Sequence, residues 1–248
     1  MAIKVITFDW GDTLAANYGM PYVETQRRAF RRLASDLTTL GCTVGDGWVQ
    51  ACIAEIELTW QRSISKEHNP EHREIDMRAM FDRWLGEAGA IGADPHAVKL
   101  ALDRCTTTLT DTVIPFTESA PALSVLKARG YRLGVLSHVP WPGDACRSWF
   151  DRHLSGFFDF YSFSCEIGWI KPSPRHFRHA LDQAGCAPHE ILHVGDHPER
   201  DVIGGKAAGF KTCLRHTENI HGVEALARCQ PDAEIIRLRE LVDIARGL

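Results

Sequence analysis

The sequence predicts an α/β protein whose doubly wound parallel sheet is interrupted early by a helical insertion. Three observations lead to this prediction: an apolar run at 3–8 followed by an acidic residue, a stretch of about 90 residues with helical periodicity, and apolar strands that alternate with helices after residue 115. Because strands that alternate with helices usually pair in parallel, we expect the two terminal parts of the chain to share one sheet.

The first predicted strand covers 3–8, where β-branched and aromatic residues indicate burial on both faces. The chain breaks at Gly11, and helical periodicity then takes over, with a polar interruption at 66–70. The helices predicted in this insertion are 22–40, 48–64, 75–88 and 95–109.

Strands and helices alternate through the rest of the chain, and several helices end at a glycine. The predicted strands are 131–136, 157–163, 191–194, 211–214 and 233–236. The predicted helices are 118–129, one that starts near 143, 174–184, 200–208 and a closing one from 238. We therefore expect a Rossmann-like α/β core from 1–15 and 113–248, and a helical domain from 16–112.

Composition is that of a globular protein without a polyanion-binding surface. The chain has 248 residues, 44% hydrophobic and 24% charged, with a formal net charge of −4. We expect a cytoplasmic protein, since the sequence offers neither a signal peptide nor an apolar run of the ~20 residues that span a membrane. The expected partner is a small molecule, with neither nucleic acid nor membrane; a monomer and a homodimer fit equally well.

Polar side chains follow the predicted strands at the points where those strands end. Asp9 follows the first strand, Ser137 the second, Lys171 lies in the loop beyond the third, and Asp196 follows the fourth. Ligands of doubly wound proteins bind at the carboxyl ends of the strands, so these four side chains are expected to converge.

This combination of groups indicates a site for magnesium and a phosphoryl group. Two neighbouring carboxylates repel each other unless a cation lies between them, and oxygen-only ligands suit Mg²⁺. Lysine and serine can donate to the equatorial oxygens of a phosphoryl group. A single aspartate after a strand is more often a turn or cap residue, but four such groups in this order are difficult to explain in that way.

Four sequence segments resemble the motifs of the haloacid dehalogenase-like superfamily of hydrolases, in its phosphatase-type branch with a helical cap inserted after the first motif. The segments are FDWGDTL (8–14), GVLSH (134–138), IGWIKPSPRHF (167–177) and HVGDHPERDVIGGKAAGFKT (193–212). The resemblance runs from residue 3 to about residue 240 and leaves only the insertion unmatched.

The resemblance implies a role for each matching residue. Asp9 would be the nucleophile that forms an aspartyl-phosphate, and Ser137 and Lys171 would hold the transferring group. Magnesium would be bound by Asp9, Asp196 and the backbone carbonyl of Gly11. Asp201 would orient Lys171 or a metal-bound water. The insertion would cover the site, and the residues expected to contact substrate are Trp10, Gly11, Asp12, Ser137, His138 and Lys171.

The first motif departs from the family pattern at one position. The family normally has D-x-D-G-T, in which the second aspartate is the general acid and base, whereas this chain has glycine there, at Gly11. Loss of a general acid typically costs about 10²–10⁴ in rate. Asp12, His138 or His197 could replace it, the substrate could have a good leaving group, or the chemistry could differ from ester hydrolysis.

Several functions therefore remain open at the level of the sequence. A magnesium-dependent phosphatase for a small phosphorylated metabolite is the main prediction. The alternatives are a hydrolase of the haloacid dehalogenase or phosphonoacetaldehyde hydrolase type, or a weakly active regulatory protein that binds phosphate and magnesium. The Tyr-Gly pair of the dehalogenases is absent after Asp9, and no lysine of the insertion has a recognisable Schiff-base setting.

Overall fold

The structure is a computed structural model that describes residues 2–218 and 221–248. The chain divides into two compact units. The first contains the N-terminal segment through Ala16, Pro115–Val139 and Asp151–Leu248; the second contains Asn17–Ile114 and Pro140–Phe150. Within the described residues, no helix combines the length and the hydropathy that a membrane crossing requires.

The first unit is built on a parallel six-stranded sheet. Its strands are β1 Val5–Phe8, β4 Arg132–Ser137, β5 Phe160–Phe163, β6 Ile191–Gly195, β7 Lys211–Arg215 and β8 Ala233–Ile235. They are ordered β5-β4-β1-β6-β7-β8, and every neighbouring pair is parallel. Two further short strands, β2 Ala15–Asn17 and β3 Val113–Pro115, pair with each other where the chain passes between the units. This is the order of a Rossmann-like sheet, as predicted.

The position of β1 in the sheet determines where a ligand can bind. The chain builds the sheet outward from β1 on one side through β4 and β5, and on the other side through β6, β7 and β8. The order therefore reverses at β1, which is where doubly wound proteins form a crevice at the carboxyl ends. Phe8 pairs with Val135 and Val194, so the residues that follow all three strands lie at one edge.

Helices of the first unit lie between these strands in the chain or, for the last helix, after them. They are α5 Ser119–Ala128, α7 Ser164–Ile167, α8 Pro174–Ala184, α9 Gly204–Ala207, α10 Val223–Cys229 and α11 Leu241–Gly247, and α6 Gly143–His153 crosses the boundary between the units. Helix α8 begins with Ser173 as its N-cap and Pro174 in its first turn, and Gly185 ends it in the left-handed region. Lys171 lies two residues before the N-cap of this short helix.

Four helices form most of the second unit: α1 Tyr22–Thr39, α2 Trp48–Ile64, α3 Met77–Glu87 and α4 Pro95–Thr110. Their core is aromatic. Phe30 stacks on Phe81 with ring centroids 5.9 Å apart and meets Trp84 edge-on at 5.4 Å. The indole of Trp48 donates to the Trp84 carbonyl over 3.2 Å, so the polar atom of this buried ring is satisfied.

The predicted elements agree with the structure in type, and the differences are local. Helices α2 and α8 have the predicted bounds, whereas the strand predicted at 157–163 begins three residues later, as β5, and ends where predicted. The helix predicted at 200–208 is a π-type turn, Pro198–Ile203, followed by α9. Strands β2 and β3, with three residues each, and helix α10 were not predicted.

Candidate active site

Asp9 is the first residue after β1, at the point where the strand order reverses. Its backbone N–H donates to the Val194 carbonyl over 2.9 Å, which continues the pairing between β1 and β6 by one residue. The side chain is 15% exposed, whereas every residue of β1 is buried. The buried strand therefore holds the carboxylate rigidly while leaving it accessible to a ligand.

Lys171 lies beside Asp9 and has a partner in each direction in which its ammonium can donate. Its Nζ lies 2.9 Å from Asp9 Oδ1, 2.5 Å from Asp201 Oδ1 and 3.1 Å from the Leu136 carbonyl. An ammonium has three N–H donors, so these contacts use all of them. The Lys171 and Asp201 side chains are each 1% exposed, which makes this a buried ion pair.

Electrostatics keep both of these groups charged. Burial by itself lowers the pKa of Lys171, but the carboxylates of Asp201 and Asp9 outweigh it and raise that pKa above its usual value. Burial opposes the charged form of Asp201 as well, yet Lys171 and His193 hold the pKa of this carboxyl well below its usual range. The pair is therefore an ammonium and a carboxylate at neutral pH.

Three carboxylates come together at this edge of the sheet. Asp9, Asp196 and Asp201 bring oxygens within 4.8 Å of one another. With the Lys171 ammonium, these groups carry two net negative charges in a largely buried place, which is costly unless a cation balances them. Carboxylate oxygens are the donors that a hard divalent cation prefers. The residues present therefore fit the predicted Mg²⁺.

Ser137 and His138 lie at the end of the neighbouring strand. Ser137 is the last residue of β4 and is 2% exposed, and His138 is half-buried directly after it. The registers of β4 and β6 against β1 place Ser137 and Asp196 at the same level of the sheet. The four side chains expected to converge thus lie at one edge of the sheet, three of them at the end of a strand and one in a loop.

The turn after Asp9 carries the departure from the family pattern. Gly11 is exposed, and a Cβ built on it would meet no heavy atom within 4 Å. Asp12 has a φ of 55°, in the left-handed region, and its N–H donates to the Ala15 carbonyl over 2.7 Å. Trp10, by contrast, is only 6% exposed. The turn thus leaves open space at the position where the D-x-D-G-T pattern has its second aspartate.

His197 follows Asp196 and begins the π-type turn. Its Nδ1 accepts from the backbone N–H groups of Glu199 and Arg200, each over 3.2 Å. Burial, helped by the positive charge of Arg200, lowers the pKa of His197 to about 4. A neutral ring whose Nδ1 already caps a turn is poorly suited to donate a proton. Asp12 and His138 are therefore better candidates for the acid.

One residue of the site was missed from the sequence. His193 lies inside β6, is 1% exposed, and places Nε2 3.2 Å from Asp201 Oδ1 and Nδ1 3.0 Å from Thr7 Oγ1. The sequence does contain a signal for His193, because a histidine in a strand that is buried on both faces needs polar partners. The sequence could not identify those partners, since they belong to β1 and to the turn after Asp196.

Comparison with known proteins places the chain among the hydrolases. The family model that it matches, over residues 3–209, is that of the haloacid dehalogenase-like hydrolases, and the chain belongs to this family.

Two similar proteins cover nearly the full length of the chain. It is 28% identical over 251 residues to a glyceraldehyde 3-phosphate phosphatase of Methanopyrus kandleri, which covers 99% of this chain and 98% of the relative. A solved structure of a 2-haloacid dehalogenase from Pseudomonas syringae is 26% identical, with a TM-score of 0.67, and covers 99% of this chain and 100% of that one. The family thus offers two different chemistries for one fold.

A third relative matches in part. The glyceraldehyde 3-phosphate phosphatase of Methanothermobacter thermautotrophicus is 35% identical over 126 residues, which are 50% of each chain. The curated relatives named here are phosphatases, which supports phosphatase activity for the chain.

Proposed function

We propose that this protein is a magnesium-dependent phosphatase that hydrolyses a small phosphorylated metabolite through an aspartyl-phosphate at Asp9. The observation that carries the proposal is the contact of Asp9 with Lys171, 2.9 Å long, beside the oxygens of Asp196 and Asp201. A nucleophilic carboxylate, an adjacent ammonium and a cation-binding group of carboxylates are the parts that phosphoryl transfer requires.

In the first step, a carboxylate oxygen of Asp9 attacks phosphorus while the bond from phosphorus to the substrate oxygen breaks. The Lys171 ammonium and the Ser137 hydroxyl donate to the equatorial oxygens, on which the transferring group carries its negative charge. The leaving oxygen needs a proton, which Gly11 cannot supply. Asp12 or His138 donates it, or a good leaving group departs as an anion.

In the second step, water attacks the phosphorus of the aspartyl-phosphate, inorganic phosphate leaves and the Asp9 carboxylate is restored. Asp12 or His138, after it has protonated the leaving oxygen, accepts the proton of this water; where the leaving group departed as an anion, the proton passes to solvent. Asp9, Asp196 and the Gly11 carbonyl would hold Mg²⁺, which when bound would neutralise charge between the carboxylates and the phosphoryl oxygens. Asp201 keeps Lys171 charged and aimed at Asp9 throughout.

The test is release of inorganic phosphate from glyceraldehyde 3-phosphate, phosphoglycolate and p-nitrophenyl phosphate, with Mg²⁺ or with a chelator. We expect Mg²⁺-dependent release that Asp9→Asn abolishes, because asparagine keeps the shape but is not a nucleophile. Asp182→Asn, which neutralises a carboxylate exposed on α8, is the matched control and should keep wild-type activity. Release that persists in Asp9→Asn would contradict the assignment of the nucleophile.

A second candidate function is supported by the similarity to the 2-haloacid dehalogenase. Attack of Asp9 on a carbon that bears a halide would expel an anion that needs no proton, which accommodates Gly11. The carboxylates of Asp9, Asp196 and Asp201 favour the phosphatase, because they fit a bound cation, which would balance the charge of a phosphoryl group and which halide displacement from carbon does not need. Chloride release from 2-chloropropionate, together with silence on the phosphate panel, would reverse this ranking.

A further inference from the structure

A continuous chain of buried polar groups runs behind the nucleophile. It begins at Thr7 on β1, passes through His193 on β6 to Asp201, and continues through Lys171 to Asp9. Thr7 is fully buried, and His193, Asp201 and Lys171 are each 1% exposed. Solvent therefore cannot replace a contact that is lost within this chain.

The Asp201 carboxylate, in the middle of this series of contacts, fixes the direction of the hydrogen bond that it receives from His193. Ionised Asp201 can only accept, so His193 donates from Nε2–H to Asp201 Oδ1 over 3.2 Å. The other ring nitrogen, Nδ1, lies 3.0 Å from the Thr7 hydroxyl oxygen, which can either donate to it or accept from it. The ring is thus held at both nitrogens, and its edge-on contact with Phe177, 5.7 Å between centroids, limits rotation.

Asp201 Oδ1 is the atom that joins His193 to the catalytic lysine. This oxygen accepts from both His193 and Lys171, while Oδ2 accepts from the His197 backbone N–H over 2.9 Å. Without His193, one of the three donors that define the orientation of the carboxylate is lost. The position of the Lys171 ammonium follows the carboxylate, because this contact of 2.5 Å is its shortest.

We propose that His193 is a positioning residue, which holds the Asp201 carboxylate so that Lys171 is aimed at Asp9. The inference rests on the proposed function, since the aim of Lys171 matters for turnover only if Asp9 carries the transferring group. His193 acts on the chemical step through Asp201 and Lys171 and does not itself contact substrate. Its loss should therefore lower kcat with little change in KM.

The experiment compares three variants in p-nitrophenyl phosphate hydrolysis with Mg²⁺. His193→Phe keeps an aromatic ring but removes both polar atoms, and we expect kcat to fall about 10- to 100-fold, the usual cost of removing such a supporting partner. His193→Gln keeps an N–H donor and should recover much of that loss. His176→Phe is the matched control: it removes another fully buried histidine, whose hydrogen bond goes to the Ser162 carbonyl and not to Thr7, Asp201 or Lys171, and should keep kcat.

A second readout does not depend on turnover. Reductive methylation followed by peptide mass spectrometry measures how readily the amine of Lys171 reacts. We expect Lys171 to be protected in the wild type and in His176→Phe, and to react several-fold faster in His193→Phe. If the wild type hydrolyses no phosphomonoester, the proposed function fails, and the methylation result still decides whether His193 positions Lys171.

Two results would overturn the inference about His193. One is a folded His193→Phe variant that keeps both the kcat and the Lys171 protection of the wild type. The other is a loss of kcat that His176→Phe shares in equal measure, because the effect would then follow from a weakened core and not from the aim of Lys171.

Discussion

The two sides of Asp9 are built differently. Behind it, Lys171, Asp201 and His193 are almost fully buried, and each contacts the next through a charged or polar atom. In front of it, the turn at Gly11 is exposed and has space for a side chain that the sequence does not provide. Behind Asp9 the side chains contact one another and are buried, whereas in front of it there is exposed, unfilled space.

This difference separates two requirements of phosphoryl transfer. The buried side supplies fixed charges, and their value depends on exact placement in a low-dielectric environment. The open side is where a proton donor would stand, and its contribution depends on the leaving group. For the proposed phosphatase, we therefore expect electrostatic stabilisation to contribute more to the rate than general acid catalysis from the first motif.

The largest expected effect comes from adding a side chain at the exposed position in front of Asp9. Gly11→Asp places a carboxyl group where a Cβ meets nothing within 4 Å, and the φ of Gly11 is not positive, so the change should be tolerated. We expect kcat for alkyl phosphates to rise by about 10² if proton donation limits the rate, with a much smaller gain for p-nitrophenyl phosphate.

Gly11→Asn is the control for this variant, because it adds a side chain of the same shape without the acid. A gain in both variants would mean that the effect is not proton donation. No gain in either would indicate that Asp12 or His138 already supplies the proton.

The next largest effect is expected from displacing one of the buried groups behind Asp9. A Cβ on Gly195 would lie 2.2 Å from Asp201 Cγ, so Gly195→Ala must displace this carboxylate. We expect kcat to fall about 10- to 100-fold and the free energy of unfolding to fall by about 1–3 kcal/mol. Urea unfolding and steady-state kinetics measure the two effects separately.

Gly134→Ala provides the matched comparison on the same sheet. Its Cβ would lie 2.3 Å from the ring of Phe160, so the variant overpacks the core without contact with Asp201. It should lose stability and keep kcat. An equal loss of kcat in both variants would mean that overpacking alone explains the effect of Gly195→Ala.

The smallest effect concerns stability and not turnover. Burial lowers the pKa of His176 well below 6.5, with a partial offset from its contact with the Ser162 carbonyl. Below about pH 6.5 the unfolded chain therefore binds a proton that the folded chain does not. The free energy of unfolding should fall with pH by about 1.4 kcal/mol per unit through this group, until the pH reaches its folded-state pKa.

Urea unfolding between about pH 7 and about pH 5 checks this expectation. His176→Gln, which keeps an N–H donor but does not titrate, should show a shallower loss of stability on acidification. His189→Gln removes an exposed histidine and should follow the wild type. Identical slopes in the wild type and His176→Gln would contradict the assignment.

Much of the site follows from the order of strands in the sequence. Asp9 and Asp196 come directly after buried runs, and Ser137 ends one, so the topology of a parallel sheet is enough to bring them to one edge. Lys171 was predicted for the same reason, although it lies in a loop. These residues are recognisable because their positions depend on strand ends, which the hydrophobic pattern shows.

Other parts of the site depend on side-chain contacts that no local sequence pattern indicates. The polar partners of His193 are Thr7, far earlier in the chain, and Asp201, whose approach requires the missing Cβ of Gly195. The turn that positions Asp201 is π-type, whereas its sequence has ordinary helical periodicity. Tertiary packing determines both features, and the sequence gives no measure of that packing.

The helical unit also includes a second segment, Pro140–Phe150, which follows the loop after Ser137. Within that unit the indole of Trp141 donates to the Tyr22 hydroxyl over 2.7 Å, and that of Trp149 donates to the Val113 carbonyl over 2.9 Å. Exchange of this unit between family members would therefore need two transplanted segments and four junctions. A graft of 17–114 alone would separate both tryptophans from the partners with which they evolved.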